Sequence, residues 1–99
     1  MKSRILEEAQ IELENAFQYY EQILPGLGEK FLDSFQDALS RIQRFPKAWS
    51  PMHPNIRKCL LKNFSYNVIY VIEKSNIIIL AIAHQHRKPG YWKNRINQS

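Results

Sequence analysis

With 99 residues, 44% of them hydrophobic, the chain is long enough for one packed domain and too apolar to be disordered. A single cysteine, Cys59, excludes an intrachain disulfide and has no Cys/His cluster around it, so a reducing cytoplasm is the expected setting. The net charge of +5 is unevenly spread. Residues 1–45 carry five Lys/Arg against eight Asp/Glu, and residues 46–99 carry nine Lys/Arg against one acid, Glu73; a basic half this strong suggests an acidic partner, either nucleic acid or an acidic protein segment.

The opening MKSRILEEAQ is too polar and acidic for a signal peptide. Residues 2–6 fit either a short first strand or the first turn of the helix that follows. Across residues 7–24, Ala9, Leu13, Ala16, Phe17, Tyr20 and Leu24 recur at steps of three and four, which predicts a helix. Glu7, Glu8, Glu12 and Glu14 crowd its N-terminal part, where the helix dipole favours negative charge, and the glutamate face reads as solvated. Pro25-Gly26-Leu27-Gly28 breaks this helix. A second stripe, Leu27, Phe31, Phe35, Ala38, Leu39, Ile42 and Phe45, runs to Pro46. Neither helix is stable alone, and the short turn makes them an antiparallel hairpin that needs a platform.

Residues 46–55, stiffened by Pro46, Pro51 and Pro54, read as a loop. The period then turns strand-like over residues 56–62, 66–73 and 77–84. The short links 63–65 and 74–76 make a meander. The last two strands are apolar on both faces and therefore belong inside a sheet. The longest apolar run, residues 76–83, is far below the roughly 20 residues of a membrane helix, so no membrane partner is expected. The predicted fold is a single α+β domain over residues 1–99, a helical hairpin packed on one face of an antiparallel sheet.

The most informative stretch follows the last strand: His84-Gln85-His86-Arg87-Lys88-Pro89-Gly90-Tyr91-Trp92-Lys93-Asn94-Arg95. An apolar strand ending in His, an Arg three residues later, then Pro-Gly-Tyr-Trp, resembles the RelE/ParE toxin superfamily. So do Ala9, Leu13 and Tyr19-Tyr20-Glu21 on the first helix, the Gly26-Leu27-Gly28 turn, Pro46 with Trp49-Ser50, Ile56-Arg57, and Phe64, Tyr66, Val68 and Tyr70 on the middle strand. The resemblance spans nearly the whole chain. It implies the order β-α-α-β-β-β and the toxin half of a type II toxin–antitoxin pair, without cofactor or metal. The cognate antitoxin would be a partner in a hetero-oligomer, binding along a sheet edge or in a helix groove.

Two targets are implied by different branches. RelE-like members cut messenger RNA on the ribosome without a metal: a 2′-hydroxyl attacks the adjacent phosphate, a base and an acid move protons, and cations hold the developing charge. For that chemistry His84, Arg57, Arg87 and Tyr91 are the catalytic candidates, because His titrates near neutrality and Arg grips phosphate with a fork of donors. Lys58, Lys62, His86, Lys88, Lys93 and Arg95 are candidates for contacting nucleic acid or target, the last two as a solvated basic tail. The pattern departs from the RNA-cleaving members at Asn67 and Gln85, where arginines are expected. ParE-like members act by binding DNA gyrase and trapping it on DNA, which needs no catalytic residue. A third possibility is a non-toxic member kept for antitoxin binding. His84 is open to a structural or a proton-transfer role, His53 reads as surface, Trp49 and Trp92 as packing residues, and Cys59 as a small buried apolar group.

Overall fold

Lys2–Ile5 is a strand, β1, which settles the choice left open at the N-terminus. The computed structural model describes residues 2–98, and in it helix α1 (Glu7–Ile23) and helix α2 (Leu27–Arg44) follow at once. Helix α1 starts without a side-chain cap, and Glu7 and Glu8 in its first turn meet the positive end of the dipole. Between the helices Gly26 takes φ +91°, a left-handed conformation that glycine adopts freely. The Glu21 carboxylate accepts the backbone N–H groups of Gly26 (3.0 Å) and Gly28 (3.0 Å), so α2 is capped by a side chain of α1. A Cβ at Gly28 would stand 2.8 Å from the Phe17 ring and carbonyl, which explains a glycine at this crossing.

The sheet has five strands in the order β1-β5-β4-β3-β2, with β2 Pro51–His53, β3 Ile56–Leu60, β4 Tyr66–Glu73 and β5 Asn76–His84. The three predicted strands are present, and β2 adds a short edge strand within the stretch read as loop. The meander is antiparallel as expected, whereas β1 pairs with β5 in parallel. The helical hairpin returns the chain to its starting side, so the first strand lies beside the last one and runs in the same direction.

Register sorts the side chains. Cys59, Val68 and Ile82 are partners across three strands, as are Lys58, Ile69 and Ala81 on the opposite face. The first face packs against Ala9, Leu13, Phe31, Phe35, Ala38 and Ile42 of the helices. Phe31 is fully buried, stacks on Tyr20 and meets Phe64 and Tyr66 edge to face, and losing it would cost about 3–5 kcal/mol. The ends of the two predicted stripes overrun their helices: Leu24 and Phe45 lie just past the last turns and are exposed. Leu80 is an extra residue in β5, between the pairs Ile79–Tyr70 and Ala81–Ile69, a β-bulge that shifts the register of the strand. Among the described residues no helix is long and apolar enough to cross a membrane.

Candidate functional site

β1 is four residues long and pairs only with Asn76 to Ile79, so the rest of β5 has no strand on that side. A bare edge of backbone donors and acceptors must be covered. Glu12 does this from α1. Its carboxylate accepts the Ile82 backbone N–H (3.0 Å), both outer nitrogens of Arg95 (2.9 and 3.1 Å) and the Tyr91 hydroxyl (2.6 Å). Arg95 also donates to the Leu80 carbonyl at 3.0 Å. One carboxylate and one guanidinium thus replace the missing strand and pin the C-terminal segment, whose 3₁₀ helix spans Lys93–Gln98, to the sheet.

The surroundings of these groups follow from that arrangement. Burial, followed by the hydrogen bond to Glu12, pushes the Tyr91 phenol well above its ordinary range, so it stays a protonated donor. The same hydrogen bond raises Arg95 further, and the two side chains of the ion pair are only 15% and 16% exposed. Arg87 lies over the Tyr91 ring at 4.0 Å and Arg95 at 5.1 Å, so the ring is a platform for two cations. The carboxylate of Glu12 therefore sets the position of Tyr91 directly and of Arg87 through it.

Of the candidates named above, His84, Lys58, Arg87, Lys88 and Tyr91 line one cleft of about 90 Å³, with Asn67 and Gln85. His84 is exposed at the end of β5, edge-on to Tyr66 at 5.2 Å, and its Nδ1 accepts the His86 backbone N–H at 3.1 Å. His86 is exposed beside it, with rings 5.3 Å apart. Lys93 is exposed, its stem against Gly90.

Three candidates lie elsewhere or are engaged. Arg57 pairs with Tyr70 in register, while His84 pairs with Tyr66. Four residues of β4 separate them, roughly 13 Å along the strand. Arg57 donates to the Trp49 carbonyl instead, next to the Tyr70 hydroxyl, which donates to Pro46 O at 2.6 Å. Lys62 pairs with Asp37 of α2 at 3.8 Å, in the groove between α2 and the β3–β4 turn. Arg95 is half-buried on Glu12, a correction to its reading as solvated tail. Glu12 corrects the reading of the glutamate face as wholly solvated, and Glu21 does so again at the α2 cap. The signal for Glu12 was present: Ala9, Glu12 and Ala16 follow the steps of three and four of the buried stripe, so a carboxylate there has to meet a partner.

Cys59 is buried and free, and burial raises its thiol. No group of three or more potential metal-binding side chains occurs among the described residues.

A family model described as the ParE toxin of the type II toxin–antitoxin system parDE matches residues 4–89. Among solved structures, a chain of the chromosomal ParDE system from P. aeruginosa is similar, with a TM-score of 0.64, 18% identity, and coverage of 85% of this chain and 95% of that one. At that identity the likeness speaks for the fold. No curated protein matches the chain.

Proposed function

The chain belongs to the ParE toxin family of type II toxin–antitoxin systems, and from that premise we propose that it inhibits growth by binding and poisoning DNA gyrase, without catalysis of its own, until its antitoxin covers it. The observation that carries this reading is that Arg57 lies outside the cleft lined by His84, Arg87 and Tyr91, while Tyr91 within it is already engaged. Arg57 sits far from His84 on a neutral carbonyl, Tyr91 is tied to Glu12 as a donor, and Asn67 and Gln85 bring no charge to the cleft. An RNA-cleaving site needs a base and an acid as well as cations around one phosphate, and with Tyr91 held on Glu12, His84 is the one proton carrier left among the residues lining the cleft. A binding surface needs only exposed cations and aromatic rings held in place, and the pinned tail supplies both.

The antitoxin is the partner implied by the family. An acidic segment of it would complement the basic half of the chain, and the hetero-oligomer would keep the toxin from its target.

Two assays on the purified protein test the proposal. With gyrase, ATP and relaxed plasmid, the toxin is expected to block supercoiling and to leave linear DNA once trapped complexes are denatured. In a translating extract, a defined message is expected to stay intact. Message ends that appear only with ribosomes present and vanish with Arg87→Ala would overturn the proposal in favour of ribosome-dependent mRNA cleavage.

A further inference from the structure

At the end of the sheet that carries the tail, Asp37 pairs with Lys62 and Glu12 with Arg95, while the cleft beside the tail is lined by cations. Glu73, the one acid after residue 45, pairs with Asn76 at the opposite end of β4. That is seven residues from Tyr66, roughly 23 Å along the strand and beyond the ~8 Å screening length at physiological salt. Glu12 is nearer, but it is neutralised by Arg95. The cleft between the outer face of β3–β5 and the turn after β5 is lined by Lys58, Asn67, Gln85, Arg87, Lys88 and Tyr91 among others, and no carboxylate is among its lining residues. Its volume of about 90 Å³ is that of about three waters, the scale of one tetrahedral anion.

The donors are partly set in advance. Arg87 rests on the Tyr91 ring at 4.0 Å, and its backbone N–H closes a turn onto His84 O at 2.9 Å. Lys58 projects from a strand, and Lys58 and Lys88 are both exposed. A guanidinium, two ammonium groups and two amides around so small a space match an oxyanion with several acceptor oxygens. A space on the scale of one tetrahedral anion suits a phosphate better than the planar carboxylates of an acidic peptide.

We infer that this cleft seats a backbone phosphate of duplex DNA, so that the toxin engages DNA directly as well as protein. That the DNA is the segment held by gyrase rests on the reading in the preceding subsection; the phosphate seat does not.

The test is anisotropy of a short labelled DNA duplex with the full chain across a salt series. The duplex is expected to bind at low salt. Lys58→Ala and Lys88→Ala are each expected to weaken binding several-fold and to lower the slope of log affinity against log salt by about 1. Both side chains are exposed, so the fold is retained, which circular dichroism checks. Lys74→Asn, in the turn at the far end of the sheet, is expected to leave the slope unchanged.

Absence of duplex binding, an unchanged slope in both cleft variants, or an equal drop with Lys74→Asn would overturn the inference. So would tighter binding of a single-stranded RNA of matched length, which would reassign the seat to RNA. Displacement of the duplex by polyglutamate at lower concentration than by unlabelled DNA would reassign it to an acidic protein segment. Gyrase poisoning with no such DNA binding would sink this inference and spare the proposed function, and DNA binding without gyrase poisoning would do the reverse.

Discussion

The two ends of the sheet hold an irregular segment with the same pair of side chains, one tyrosine hydroxyl and one arginine. At the β3 end, Tyr70 donates to Pro46 O and Arg57 to Trp49 O, tying down the proline-rich loop. At the β5 end, Tyr91 and Arg95 both donate to Glu12 and tie down the tail. The first anchor closes on neutral carbonyls and buries its arginine against the loop. The second closes on a carboxylate, which neutralises one cation and leaves Arg87, Lys88 and Lys58 free beside it. What separates a structural anchor from a candidate site is the balance of charge around it, since the residue types are the same.

Removing the carboxylate should break the comparison most sharply. Glu12→Ala leaves Arg95, the Tyr91 hydroxyl and the Ile82 N–H without their acceptor, and should cost about 3 kcal/mol in urea unfolding. The tail carrying buried Trp92 should loosen, seen as a red shift of tryptophan emission. A loss below about 1 kcal/mol would mean that the tail is held by packing instead.

Alkaline titration separates the two anchors next. Burial pushes the Tyr70 phenol up to about 12, and Tyr91 is raised as well, by burial and by Glu12. Between about pH 10 and pH 12 the unfolded chain releases protons that the folded chain keeps, so stability should fall as pH rises through that window and be level below it. Tyr70→Phe should remove part of the fall, and a pH profile with the same slope in this variant would contradict the burial of that hydroxyl.

Arg57→Met should cost about 1 kcal/mol or less, because the one acceptor left behind is the Trp49 carbonyl, and the buried Arg57 Nε, which lacks a partner among the described residues, disappears with the substitution. The smallest stability effect is expected from Arg87→Ala, about 0.5 kcal/mol for an exposed guanidinium on a ring. Yet its effect on gyrase poisoning should exceed that of Arg57→Met. The reverse order in the supercoiling assay would move the target surface to the loop end.

Much of the fold was legible in the chain, because the signals are local. The i, i+3, i+4 steps from Ala9 to Tyr20 and from Phe31 to Ile42, the Pro-Gly break and the Ile/Val/Tyr-rich strands each report on their own few residues. The ordered motifs from Tyr19-Tyr20 to Tyr91-Trp92 identified the family on top of that. What the chain could not show is which residues meet across it. Glu12 lies 79 residues from Tyr91 and 83 from Arg95. Their meeting depends on β1 ending at Ile5 and leaving the edge of β5 bare, and on α1 running past that gap. The separation of Arg57 from His84 likewise depends on strand register, which periodicity does not carry. Local spacing determined the elements and the family, and the tertiary structure decided the site, because hydrogen bonds and charges are satisfied between neighbours in space.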